Sequence, residues 1–348
     1  MTVPEIIQHR LLNQQIAETI YKKPEEIVSY MAAMQAQEFA MAKWAIGLRL
    51  PKIFDSDVEQ AFNDGKILRT HLMRPTWHFV APDDIRWILL LTAPRVHAIN
   101  AFMYRKLELD KKIFNRCNDI IIRSLEGGKQ LVRTELNKIF KKKKIIADGL
   151  RLGYICMYAE LEGIICSGAR KGKQFTYALL EERVKPVKQK NREEALAELC
   201  KRYFISRSPA TLNDFAIWSG LTMKDARDSI AMNGSKFQHK TIQGNAYIIN
   251  PLETKNINKL QKNFLMPDYD EYGMSYKDRS AIFSKKNKPS ADASNHMLII
   301  DGVIEGTWKQ EIKNKKIIVE TNPFAPLNKI KQEEVNKAVK KYITFFNQ

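Results

Sequence analysis

The chain has 348 residues, 57 of them Lys or Arg against 39 Asp or Glu, for a formal net charge of +18. A hydrophobic fraction of 44% excludes a disordered polyelectrolyte, and the length allows two to four domains. The charge favours a polyanionic partner, nucleic acid first, whereas an apolar run such as residues 88–93 is far too short to cross a bilayer.

The first ten residues already carry Glu5, Gln8, His9 and Arg10, which does not read as a signal peptide. Cys117, Cys156, Cys166 and Cys200 form no C-x-x-C pair and no cluster with histidine. A reduced, cytoplasmic, nucleoid-associated protein without metal or cofactor is expected.

In chain order, Pro24 opens a helix with Glu25 and Glu26 in its first turn, and the helical pattern continues over 31–50. Strands at 66–71 and 76–80, joined by 72–75, follow as a hairpin. The order then repeats. Thr134 is expected to cap a helix at 135–140, a second helix covers 149–161, and strands at 163–167 and 174–178 flank a Gly- and Lys-rich turn at 168–173. The polar stretch 185–191 reads as a boundary. Capping boxes at Thr211/Asp214 and Thr222/Asp225 open helices at 212–219 and 223–232, and strands at 237–242 and 246–249 complete a third round. Helix, helix, hairpin, three times, reads as tandem winged helices, a helix-turn-helix architecture. Beyond 251 come strands at 296–300, 303–308 and 316–320, a tight turn at Asp301-Gly302, a solvated lysine loop at 285–288 and an amphipathic helix at 331–346. The expected fold is α+β and mainly helical: three winged helices (1–110, 111–184, 185–250) and a β-rich, barrel-like C-terminal part (251–348).

The first hairpin carries the densest set of DNA-binding candidates: Arg69, Thr70, His71, Arg74 and Thr76, with Leu72-Met73 at the tip as a wedge for a base step. Alternation puts Thr76, His78 and Val80 on one face, and Trp77 and Phe79 on the other, where packing is their usual use. Gln35-Ala36-Gln37 lies in an apolar stretch read as helical, where buried amides need partners.

These segments resemble a known family. Gln35-Ala36-Gln37 with 43–49 (KWAIGLR), the hairpin 69–80 (RTHLMRPTWHFV), 208–215 (SPATLNDF), 218–221 (WSGL), 267–272 (PDYDEY), 276–279 (YKDR) and 306–309 (GTWK) are similar to the winged-helix DNA glycosylases of the AlkZ and YcaQ type. The resemblance spans about residues 10–310 and implies tandem winged helices forming a basic channel for duplex DNA; with no heptad or obvious dimerisation helix in the sequence, a monomer is expected. It implies catalysis by Gln35 and Gln37, and His78 on the hairpin is expected near the lesion as a further catalytic residue. Such a pair suits one kind of substrate. A Gln amide cannot exchange a proton usefully, but it can orient water and turn its carbonyl toward an oxocarbenium-like sugar. That help suffices for a purine alkylated at N7 or N3, which leaves as a neutral base. Two other readings compete: a non-catalytic winged-helix regulator, and a metal-dependent hydrolase using Asp268, Asp270 and Glu271 as oxygen ligands.

Overall fold

Local signals act where the chain begins. Thr2 accepts the Glu5 N–H and Glu5 accepts the Thr2 N–H, closing a capping box ahead of helix Val3–Asn13. Pro24 opens Pro24–Met31, as its fixed φ favours. The structure, a computed structural model, describes residues 1–251, 262–283, 296–314 and 316–347. The lysine run at 285–288 lies outside the described residues.

The helix expected over 31–50 is broken. It stops at Met31, Ala32 takes φ +61°, Ala33–Gln35 is a short strand, and a new helix runs Phe39–Arg49. The cause is tertiary. The Arg207 guanidinium donates to the carbonyls of Met31 at 3.0 Å and Ala33 at 2.8 Å, oxygens that a continuous helix would bond to its own N–H groups.

The chain divides into two units, Met1–Glu59 with Leu196–Trp218 and Thr222–Gln348, and Gln60–Ala195 with Ser219–Leu221. Of the four expected segments, 111–184 lies wholly in the second unit, 251–348 lies in the first, and the other two are shared.

In the first unit, Leu212–Ser219 and Met223–Met232 begin at the two expected capping boxes. Strands Gln238–Ile242 and Asn245–Ile249 then pair across Gln243 (φ 48°) and Gly244 (φ 80°), the two positive φ values that a tight hairpin turn needs. A four-stranded antiparallel sheet follows, in the order Lys316–Pro323, Val303–Lys313, Met297–Ile300, Phe264–Met266. Trp44 and Trp308 donate to Leu265 and Met266 carbonyls at 2.9 and 3.1 Å, and Tyr342 of helix Lys329–Phe346 meets both indoles edge-on. Gly47 permits this packing, since a Cβ there would lie 2.4 Å from the Phe345 ring. The sheet is open among the described residues and does not form the expected barrel. Beyond Trp308 its two longest strands pair only with each other, and their far halves stay largely exposed.

In the second unit, helices Lys111–Leu125, Arg133–Lys142 and Gly149–Leu161 enclose a core containing Phe114, Ile121, Leu136, Phe140 and Ile155. Leu131–Val132, Thr176–Leu179 and Ile165–Ser167 form its small sheet, in that order. Thr134 lies inside its helix and is not the cap: the helix starts at Arg133, and Glu135 accepts the Val132 N–H. Residues 185–191 carry no regular structure, but the division between the two units falls later, between Ala195 and Leu196 in helix Arg192–Arg207. No helix among the described residues is long and apolar enough to cross a membrane.

Candidate active site

The strand that carries Gln35 is held by a buried carboxylate. Glu271 Oε1 accepts the Gln35 N–H at 2.9 Å. Its Oε2 takes Arg207 Nε at 3.1 Å and Nη2 at 2.8 Å, Trp218 Nε1 at 2.9 Å and Ser275 Oγ at 2.6 Å. Arg207 in turn holds the carbonyls on either side of Ala32. Both charges are buried. Burial alone pushes the Glu271 carboxyl up, but the Arg207 guanidinium, the Ser275 hydroxyl and the Gln35 N–H outweigh it and hold the group at about 2. Gln35 is thus fixed through its backbone, with Ala36 buried beside it and Gln37 half-buried. The pair is not on a helix, as expected, but on a strand and the residues after it.

These contacts overturn the metal reading of the acidic cluster. Asp270 accepts Nη1 and Nη2 of buried Arg49 at 2.7 and 2.9 Å, Glu271 is enclosed by Arg207, and His296 Nδ1 lies 3.0 Å from Asp268. Among the described residues no group of three His, Cys, Asp or Glu is placed to hold a metal ion. The role of Glu271 escaped sequence reasoning, since nothing local links it to a strand 236 residues earlier.

The other candidates belong to the second unit, on the hairpin of strands Leu68–Leu72 and Arg74–Val80. Its tip is no wedge. Leu72 and Met73 are fully buried, and Gly220 approaches so closely that a Cβ there would lie 2.3 Å from the Met73 carbonyl oxygen. Thr70 is fully buried as well, and His71 is buried with Nδ1 bonded to Glu160. Arg69 is 7% exposed and stacks on Trp77. Exposure on the hairpin begins at Arg74 and continues through Pro75, Thr76 and Trp77. His78 is buried. Its Nδ1 lies 2.9 Å from the Thr76 carbonyl, which can only accept, and its Nε2 lies 3.5 Å from an Arg74 N–H, which can only donate. The tautomer protonated at Nδ1 satisfies both. The expected split between two faces is blurred because His78, Phe79 and Val80 are all covered.

Exposed cations gather on other elements of each unit: Lys171 and Lys173 in the turn of the second hairpin, Lys141 to Lys144 at the end of a helix, and Lys309, Lys313 and Lys316 on the long hairpin 303–323. The long hairpin reaches further than expected, since its strands continue to Lys313 and Pro323. Ile312 stands 69% exposed on it.

The family model described as DNA glycosylase AlkZ-like matches residues 28–345. A protein of Streptomyces sahachiroi named interstrand DNA cross-link repair glycosylase is 21% identical over 355 residues, covering 96% of this chain and 93% of its own. The solved structure of Streptomyces sahachiroi DNA glycosylase AlkZ superposes with a TM-score of 0.79 at 18% identity, over 99% of this chain and 96% of that one.

Proposed function

The chain belongs to the AlkZ-like DNA glycosylase family, and from that premise we propose that it hydrolyses the N-glycosidic bond of cationic N7- or N3-alkylated purines in duplex DNA, with Gln35 and Gln37 as the catalytic pair. The observation that carries this reading is the anchoring of Gln35 by the Glu271–Arg207 pair. A catalytic dipole is effective only when it is held still before the charge develops. Neutral amides with a fixed backbone suit a reaction whose leaving group already carries the positive charge. Water adds to the sugar carbon as the glycosidic bond breaks, the bond electrons neutralise the departing purine, and the proton of the water passes to solvent. No lysine forms a covalent intermediate in this scheme, so the enzyme is monofunctional. Interstrand crosslinks through N7 belong to the same substrate class, in keeping with the name of the Streptomyces relative.

The three helix–helix–hairpin rounds are read as winged helices, with Arg74 and Thr76 as the DNA-facing part of the first hairpin. Arg69, Thr70 and His71 are assigned to supporting it, in view of their burial. His78 acts through Arg74 by holding that side chain. The test is incubation of the protein with duplex DNA containing N7-methylguanine, followed by detection of free base and of abasic sites. Binding without release of base would return the protein to the regulator reading.

A further inference from the structure

A cavity of about 330 Å³ opens in the Gln60–Ala195 unit, with Trp77, Phe175 and Tyr177 among its walls and Arg69, Arg133, Lys173 and Glu160 as its charged groups. Its volume falls at the lower end of the range that encloses small ligands. One side is a stacked column. The Arg69 guanidinium lies 4.3 Å from the Trp77 centroid and 4.6 Å from that of Phe175, and Arg170 stacks on Phe175 at 4.8 Å. His71 extends the column past Trp77 at 4.5 Å and binds Glu160 Oε2 through Nδ1. The Glu160 side chain is only 2% exposed, so this carboxylate is oriented and largely desolvated. Arg133 stands at the first position of helix Arg133–Lys142. Its guanidinium lies over Gly153, where a Cβ would come within 2.5 Å of Nη2, and its buried Nε has no hydrogen-bond partner among the described residues.

We propose that this cavity binds a guanine nucleotide. Trp77 and Phe175 each already carry two stacking neighbours in the column, so the base meets this wall at the ring edges, and Glu160 accepts from N1–H and the exocyclic amine, an adjacent donor pair that adenine and cytosine lack. The phosphate is held by Arg133 and Lys173, two of the cations that line the cavity. Three cations against one carboxylate leave the site positive enough for a phosphate. The inference uses neither Gln35 nor Gln37 and stands whether or not they carry the hydrolysis. The same chemistry is offered by a free nucleotide and by an unpaired guanine in a DNA strand.

The test titrates the intact protein with guanosine, adenosine and cytidine 5′-monophosphates by calorimetry, and compares its affinity for a duplex with one bulged guanine against the fully paired duplex. Wild type should prefer the guanine nucleotide by about tenfold, Glu160→Gln should remove that preference, and Arg133→Ala should weaken all three about tenfold. Binding of the free nucleotide without preference for the bulge assigns the cavity to free nucleotide. A bulge preference that both variants abolish, without binding of the free nucleotide, assigns it to a strand. Lys173 is exposed, so Lys173→Ala keeps the fold even if Glu160→Gln does not. That variant should lose affinity for the monophosphate but not for guanosine. Equal affinity for the three nucleotides, no binding of either ligand, or affinities that folded variants leave unchanged would overturn the assignment.

Discussion

Gln35 and Gln37 carry no charge at any pH, so whatever they contribute to rate comes from placed dipoles. Removing one such dipole costs roughly 10²–10³ in rate in other enzymes, and a leaving group that is already cationic should bring this toward the lower figure. Gln35→Ala and Gln37→Ala are therefore expected to slow single-turnover release of 7-methylguanine by about 10² while DNA affinity is retained. Gln37→Asp should be tolerated, because a carboxylate also stabilises an oxocarbenium ion. Equal rates in wild type and both alanine variants would remove the pair from the mechanism. Arg74 and His78 separate along a different line. Arg74 is partly exposed and His78 buried, so Arg74→Ala should weaken duplex binding, whereas His78→Ala should mainly lower turnover. Loss of thermal stability alone in both would make them packing residues.

The strand Ala33–Gln35 illustrates what holds at the scale of an element. Three residues of strand have little stability of their own, and their geometry is fixed by Arg207 on the carbonyls and Glu271 on the Gln35 N–H. Glu271→Gln leaves a buried guanidinium without its counter-charge and should destabilise the protein by about 3–5 kcal/mol, read from urea midpoints. The pH dependence has a definite sign. The Glu271 carboxyl is held at about 2 against an ordinary 4.5, so its contribution is complete above 4.5 and is lost as pH falls from there toward 2. The Gln variant should lack that part of the acid sensitivity. A double replacement, Arg207→Met with Glu271→Leu, removes the uncompensated charge but leaves the Gln35 N–H, Trp218 Nε1 and the Met31 and Ala33 carbonyls without these partners, so it should recover stability only in part and should lose excision with the strand's anchors. Legibility follows the same division between local and remote causes. The boxes at Thr211 and Thr222, and the turn at Gln243-Gly244, are made by neighbours in sequence and could be read there. The break at Ala32 depends on a guanidinium 176 residues from Met31, and the burial of Met73 on Gly220, so neither left a local pattern. The Gln-x-Gln motif itself was legible only through its resemblance to the family, since spacing alone reads as a helix face.

At the scale of the whole molecule, a net charge of +18 is useful only where the cations can reach phosphate. Many of them are exposed: Lys141 to Lys144, Lys171 and Lys173 on one unit, and Lys309, Lys313 and Lys316 on the other. Such contacts act by releasing condensed counterions, which makes log K fall linearly with log salt at a slope of about −0.9 for each phosphate neutralised. If duplex binding uses six to ten of them, affinity should drop by roughly 10³–10⁵ between about 50 and 200 mM salt, with little dependence on sequence. The long hairpin supplies the sharper test, because its far half is exposed and can lose charge without disturbing a core. Lys313→Ala with Lys316→Ala should leave circular dichroism unchanged and reduce the slope by about two. Anisotropy titrations of a labelled random duplex over a salt series measure both quantities. A flat salt dependence in wild type would remove phosphate contacts as the source of binding. An unchanged slope in the double variant would take this hairpin out of the interface, and a single sequence bound far more tightly than random duplex would favour a regulator over an enzyme that must survey all DNA.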